Sequence, residues 1–413
     1  MADYDAERDS RDIEYWTKHT VPPIASLLRT AGYSPSDQEA QLATLTQHVI
    51  PHLGPRPSKA NSSSFMVAKG SPFQPQINVS AGKPMVRFSW EPMGLHGGSD
   101  RDPWSVETTR HVVRYLSDKI GFSTAWLDAI IAAYAPDPAQ YEAMSAILPG
   151  WMAGQLGVPE PPPLKRIPFS FLAFDLKGSK AAVKVYLNPQ VMELASGVPS
   201  TKIALDVLRT LKPAFDTSAL DLIDEFLTGR PGIGMTAFDC VEEGNLSSAR
   251  VKIYLTTPTN SFNTAREYIT LGGRINNATT KKYLILLQRV WHLLLQDPED
   301  RDDEYETPVL DNLKLYFSIE LKPGMKVPEV KSYVPTWKYV KSDKETVQNY
   351  QRIFREIGHP WGAEGRYQDI YEDAFGPADV KHAMSVHTDT SFIYSEDKGC
   401  YQTLYFGADL DPE

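Results

Sequence analysis

An α+β fold is predicted for this chain of 413 residues: a ten-stranded antiparallel barrel wrapped by helices and built from five ααββ units. Three observations carry that expectation. Four times inside an apolar, β-branched run a lysine stands two residues before a tyrosine, at Lys184/Tyr186, Lys252/Tyr254, Lys314/Tyr316 and Lys331/Tyr333. Hairpins recur at a spacing of roughly 70 to 100 residues, which is the length of a structural repeat. Stretches of helical periodicity lie between them. Residues i and i+2 of a strand share a face, so each pair sets a cation beside a phenol. One such pair would be ordinary on a solvated strand, but four in phase are not.

Taken in order, Val86-Arg-Phe-Ser-Trp-Glu-Pro92 is the first strand with this phase, with Arg87 in the lysine's place and Glu91 on the same face. Asp102-Pro103 reads as an N-cap followed by proline at the first helical position, opening a helix through Val106, Val112, Val113 and Leu116. A second helix covers 126–134. The next hairpin joins 169–175 to Val183-Lys-Val-Tyr-Leu-Asn-Pro189 through a Lys-Gly-Ser-Lys turn. Val158-Pro-Glu-Pro-Pro-Pro-Leu164 before it reads as a stiff crossover. Helices over 203–211 and 220–227 lead to a hairpin of 235–239 and 251–257 with a Gly-Asn turn. A helix over 281–295 precedes a hairpin of 313–319 and 330–335 with a Pro-Gly turn, and places Lys314 on the partner strand of Lys331. A helix over 346–357 precedes the last hairpin, 391–394 and 400–406, which puts Tyr401, Thr403 and Tyr405 in phase.

Sequential hairpins left as an open sheet would expose two edges, and closure into a barrel removes them. Helices then cover the outside, so the Lys/Tyr face looks inward. Ten strands enclose more space than side chains fill, and the interior is expected to hold a ligand. No Ser/Gly linker interrupts the period, so residues 1–413 are read as one domain. Cys240 and Cys400 provide no disulfide framework, the amino terminus shows no apolar signal region, and no run approaches a membrane span. A cytoplasmic location is expected. The formal charge of −10 argues against a nucleic-acid partner.

The inward residues carry the chemistry. Arg87, Lys184, Arg250, Lys252 and Lys331 direct cations into one cavity, where they repel unless a polyanion such as a diphosphate joins them. The phenols of Tyr186, Tyr254, Tyr333, Tyr401 and Tyr405 ring the same space, and π-faces stabilise a desolvated cation by about 2 kcal/mol. Cations for a leaving diphosphate beside aromatics for a developing carbocation describe prenyl transfer. Glu91 is the one acid found in phase, placed to accept a hydrogen bond from an aromatic N–H or O–H. Arg87 has a second reading, as a structural brace for Glu91.

At these residues the chain resembles the fungal dimethylallyltryptophan synthase family of aromatic prenyltransferases, from Trp16 to Phe406. The motifs that carry the resemblance are Val86-Arg-Phe-Ser-Trp-Glu-Pro92, Lys184-Val-Tyr186, Arg250-Val-Lys-Ile-Tyr254 and Tyr401-Gln-Thr-Leu-Tyr405. The resemblance implies the ABBA, or PT-barrel, fold. It implies that Glu91 binds the indole N–H, that Lys184, Arg250 and Lys252 bind diphosphate, and that Tyr186, Tyr254, Tyr333 and Tyr405 shield the allylic cation. A diphosphate-binding arginine shortly after the glutamate is matched by Arg101. Lys331 stands where many members carry glutamine. The implied partners are dimethylallyl diphosphate and an indole acceptor, with no essential Mg²⁺ or other cofactor, in a monomer or homodimer. Members that take free tryptophan have an arginine shortly before the strand aspartate. Here Gly234-Met-Thr-Ala-Phe238 precedes Asp239 without a cation, and Asn188 replaces a second acceptor-side aromatic. A tryptophan-containing cyclic dipeptide or related indole alkaloid is therefore expected as acceptor. Free tryptophan or a phenolic acceptor is the alternative within the same chemistry, and a non-catalytic barrel for hydrophobic ligands is the alternative outside it.

Other signals read as structure. The acidic run 297–304 lacks the Asp-Asp-x-x-Asp spacing of a magnesium site and reads as a solvated loop. Pro51 breaks the helix that would align His48 with His52. Gly229-Arg-Pro-Gly-Ile-Gly234 precedes a strand and does not open a helix, which excludes a dinucleotide fingerprint.

Overall fold

The computed structural model describes residues 9–57, 64, 66–67, 70–80, 82–161, 164–380 and 385–407. Five ααββ units follow one another. The first is α1 Ser10–Thr30, α2 Pro35–His48, β1 Phe73–Val79 and β2 Met85–Trp90. The second is α3 Val106–Ile120, α4 Ala125–Tyr134, an added α5 Tyr141–Leu156, β3 Ser170–Lys177 and β4 Lys180–Leu187. The third is a short α6 Gln190–Ser196, α7 Ser200–Thr210, α8 Thr217–Leu227, β5 Met235–Asp239 and β6 Val251–Thr257. The fourth is α9 Phe262–Ile269, α10 Ala278–Leu295, β7 Leu315–Leu321 and β8 Glu329–Val334. The fifth is α11 Asp343–Glu356, α12 Arg366–Phe375, β9 His387–Ser395 and β10 Gly399–Phe406. All ten strands are antiparallel to their neighbours, and β1 pairs with both β2 and β10 to close the barrel.

The inversion expected of the strands is observed. Val183, Val185 and Leu187 of β4, Val251, Ile253 and Leu255 of β6, and Leu315, Phe317 and Ile319 of β7 face outward and are buried under the helices. Each such side chain contributes about 1.5–3 kcal/mol by leaving water. Phe317 stacks on Tyr268 of α9 at 4.9 Å, so Phe317→Ala is expected to cost about 3–5 kcal/mol. Side-chain oxygens at Ser34, Asp216, Ser261, Asn277 and Ser342 accept the free N–H groups at the starts of α2, α8, α9, α10 and α11. Tyr33, between α1 and α2, donates to Leu176 O and accepts from Val86 N, fastening that corner to β2 and β3.

The differences from expectation have local causes. Strand β1 is masked in the sequence by Pro75, although Gln74, Gln76 and Asn78 alternate with apolar residues as a strand requires. β10 pairs with β1 only from Gln76, so the missing N–H of Pro75 costs no ladder bond on that side. α3 begins at Val106, not beside Asp102, yet the Asp102 carboxylate still accepts from Thr108 N at 2.8 Å and caps the helix from outside it. The Gly-Asn segment between β5 and β6 winds through a 3₁₀ turn, Glu243–Ser248, and is no tight hairpin turn. Lys314 lies before β7 and pairs with Glu306. Of the 158–164 crossover, residues 162–163 lie outside the described residues. Among the described residues no helix is long and apolar enough to cross a membrane.

Candidate active site

Register alone gathers the inward cations. β2 sets Arg87 opposite Asp175 of β3, β4 sets Lys184 opposite Asp239 of β5, and β6 sets Lys252 opposite Glu320 of β7. Arg87 Nε lies 2.5 Å from Asp175 Oδ1, and Lys184 Nζ bonds the other oxygen of the same carboxylate. Arg250 Nε reaches Asp239 at 2.6 Å and its Nη1 reaches Glu320 at 3.2 Å, while Lys252 Nζ takes the second Glu320 oxygen at 3.2 Å. Lys331 sits over the rings of Tyr333 and Tyr401, at 5.4 and 5.1 Å, and its Nζ is 3.4 Å from Thr403 Oγ1.

Glu91 is therefore not the only acid on the inner face, which corrects the sequence reading. Asp175, Asp239, Glu320 and Asp389 share that face, and the first three hold the cations together without a bound polyanion. Five basic side chains outnumber those three carboxylates, and an anion entering the cluster would favour the charged form of the two that burial pulls down, Lys184 and Lys331. Burial, with Arg87 alongside, pulls the Lys184 ammonium down to about 7 against the pull of Asp175. Burial and the neighbouring Lys252 and Arg87 hold Lys331 well below the ordinary lysine value. Burial acts on Lys252 too, but Glu320 together with the phenols of Tyr333 and Tyr186 outweighs it and raises the ammonium above its usual range. Burial would lift Glu320, yet Lys252 and Arg250 hold its carboxyl at about 2. The shared Asp175 carboxyl is likewise held far below its usual range, burial notwithstanding, by Arg87 and Lys184.

Beside this cluster four phenols form a continuous arc. Ring centroids are 5.8 Å apart for Tyr186 and Tyr254, 5.7 Å for Tyr254 and Tyr333, and 6.3 Å for Tyr333 and Tyr405. All four line a cavity of about 400 Å³, within the range of small-molecule sites. Burial and the adjoining phenols keep Tyr254 and Tyr405 protonated far above the ordinary tyrosine range. Tyr401 is set apart from the arc. It packs under Lys331 and Lys398 at the charged end of the barrel.

Glu91 follows the end of β2 and is 1% exposed. Arg166 Nη2 lies 2.6 Å from its Oε1, and Ser64 donates to its Oε2. Its brace is Arg166, and Arg87 is committed to Asp175. Arg166 passes so close to Gly98 that a Cβ there would stand 2.8 Å from its Nε, at a φ of +75°, so this approach requires glycine. Arg101 is not brought to the other cations. With Asp102 turned inward to cap α3, Arg101 faces solvent, its Nη1 3.4 Å from His96 Nε2. In the sequence Lys165 and Arg166 look alike, and only burial distinguishes the arginine that meets Glu91. Also unforeseen were Gln74, Ser89 and Asp389 on the cavity wall, and Trp151 and Met152, which α5 contributes to it. Asn188 lines the cavity as well, with its Oδ1 accepting from Gln190 N at 2.9 Å.

Chemically, the barrel combines a partly neutralised basic cluster, an adjoining aromatic arc and an apolar cavity. A diphosphate ester can be held with its anionic group on the cations and its carbon chain along the phenols. With that geometry in view, the family model described as tryptophan dimethylallyltransferase matches residues 12–369. The chain is 46% identical to the indole diterpene prenyltransferase terF of Tolypocladium album, over 98% of this chain and 96% of that one. It is 43% identical to the indole diterpene prenyltransferase ltmF of Epichloe festucae var. lolii, over 97% and 94%. Among solved structures, AnaPT from Neosartorya fischeri superposes with a TM-score of 0.81 at 25% identity, over 97% of this chain and 94% of that one.

Proposed function

The chain belongs to the tryptophan dimethylallyltransferase family of indole prenyltransferases, and from that premise we propose that it transfers a dimethylallyl group from dimethylallyl diphosphate to the indole ring of an indole diterpene. The alkaloid side of the expected acceptor range is preferred to the cyclic dipeptide because the relatives named above are indole diterpene prenyltransferases. One structural observation carries the exclusion of free tryptophan. Among the described residues lining the cavity there is no lysine or arginine, so a substrate carboxylate would be buried without a partner, at a cost of several kcal/mol. Membership of a transferase family removes the reading as a passive ligand barrel.

In this mechanism Lys184, Arg250, Lys252 and Lys331 take the diphosphate. The allylic C–O bond breaks and its electron pair leaves with that group. Tyr186, Tyr254, Tyr333 and Tyr405 face the allylic cation and exclude water from it. Glu91, positioned by Arg166, accepts the indole N–H and raises the electron density of the ring. The new bond forms between the allylic carbon and the ring, and the ring proton passes to the released diphosphate, which restores aromaticity. Because protein cations neutralise the leaving group, no Mg²⁺ is required.

The test is incubation of the pure protein and dimethylallyl diphosphate with an indole diterpene, a tryptophan diketopiperazine and L-tryptophan, with EDTA and with Mg²⁺. The expected result is the highest kcat/KM for the diterpene, unchanged by EDTA. A clear preference for L-tryptophan, or activity restored only by Mg²⁺, would overturn the corresponding part of the proposal.

A further inference from the structure

Asp389 is the one charged side chain among the described residues that line the cavity. It lies on β9, opposite Tyr405 of β10, so it adjoins the aromatic arc and not the basic cluster. Unlike Asp175, Asp239 and Glu320, it has no cation bonded to it among the described residues. Gln74 Nε2 is 3.4 Å from its Oδ2 but makes its shorter bond, 2.9 Å, to Thr388 Oγ1. The lysine whose charge reaches it, Lys338, bonds Asp311 Oδ1 at 2.5 Å and Leu313 O at 2.8 Å. Tyr316 and Tyr350 are the titratable groups around it that feel its charge. His387, two residues earlier, is occupied by Asp343 and Tyr367. A carboxylate facing an apolar cavity with unfilled lone pairs carries a desolvation penalty that a ligand donor relieves.

Resting on the acceptor class proposed above, we propose that Asp389 accepts a hydrogen bond from a neutral donor, an alcohol O–H on the terpenoid part of the acceptor, and so selects hydroxylated, uncharged acceptors. The assignment explains two features together. The cavity lacks a cation for an acceptor carboxylate, and its own carboxylate repels one. Asp389 is the carboxylate on the described cavity wall, placed for a polar group of the acceptor other than the indole N–H assigned to Glu91. Burial, against the pull of Thr388, Lys338 and Gln74, raises the Asp389 carboxyl to about 6. The ionised acceptor therefore predominates at neutral pH and is lost as pH falls through that value.

The experiment compares an indole diterpene alcohol with its methyl ether on the wild type, Asp389→Asn and Asp389→Ala, recording kcat and acceptor KM from pH 5 to 8. In the wild type at pH 7.5 the alcohol is expected to be favoured by about tenfold or more in kcat/KM, through KM, because the bond is made to a charged acceptor. That preference should shrink below pH 6. In Asp389→Asn it should fall to within about twofold of unity and lose its pH dependence, with the donor KM unmoved. The isosteric Asn variant keeps the test valid if the Ala variant fails to fold. An equal preference in wild type and Asn variant overturns the inference, as does a loss confined to kcat, which would make Asp389 the base for the ring proton. Tryptamine outcompeting the alcohol in a manner dependent on Asp389 would replace the hydroxyl by an ammonium and overturn it as well. If neither alcohol nor ether is prenylated, the acceptor class itself fails and the inference falls with it.

Discussion

The two ends of the barrel interior answer the same problem, buried polar groups, in opposite ways. At the charged end each carboxylate holds two cations or shares one, as Asp175 does with Arg87 and Lys184, so desolvation is largely offset before any substrate arrives. At the cavity end Asp389 has no bonded cation among the described residues, and the remaining described wall is aromatic, amide, hydroxyl or apolar. The contrast teaches that the proposed donor site is organised by the protein itself, whereas the proposed acceptor site leaves a deficit for a substrate to fill. Changes at the first end should therefore damage both stability and donor use. Changes at the second should alter selection.

Lys184→Ala would break that comparison most severely. It removes a proposed diphosphate contact and leaves Asp175 with Arg87 alone, so donor kcat/KM is expected to fall by roughly 10³-fold, with a loss of about 3 kcal/mol in stability. Adding Asp175→Asn should lower Tm further, because it leaves the buried Arg87 without its carboxylate, and should restore none of the donor use. Recovery of donor use would show that Lys184 serves only the ion pair.

Glu91→Gln comes next. Its shape is kept while the charge proposed to meet the indole N–H is lost, and turnover should drop by roughly 10²-fold with the acceptor still binding. An unchanged kcat would move that role elsewhere, with Asp389 as the next acid to examine.

A smaller effect is expected from pH. A lysine held down at about 7 carries its charge below that value and loses it as pH rises through it. In the free enzyme, donor kcat/KM should thus decline above pH 7 by up to about tenfold per unit. Lys184→Arg, whose guanidinium stays charged, should displace that decline upward. A profile flat to pH 9 in the wild type would contradict the charge state inferred for Lys184.

The smallest change in rate, a few-fold, is predicted for Tyr254→Ala or Tyr405→Ala, with a rise in dimethylallyl alcohol as water reaches the cation. Product analysis by NMR decides it. Loss of rate with no added alcohol would give these phenols another function.

What the sequence by itself determined about this protein is whatever depends on neighbours two to four residues apart. Period-two alternation put Lys184, Tyr186, Lys252, Tyr254, Lys331, Tyr333 and Tyr405 on one face, and hairpin order led to a closed barrel with that face inside. The helices whose apolar faces repeat every three to four residues were legible for the same reason. Tertiary structure alone decided what those residues meet. Asp175 reaches Arg87 across 88 positions of sequence and Arg166 reaches Glu91 across 75, because strand register and chain crossing, not spacing, set the distance. The same holds for the outward turn of Arg101, imposed by Asp102 capping α3, and for Asp389, whose isolation among aromatics exists only after β9 and β10 close on β1. Phase is a local property of the backbone, while pairing and charge state belong to the closed barrel.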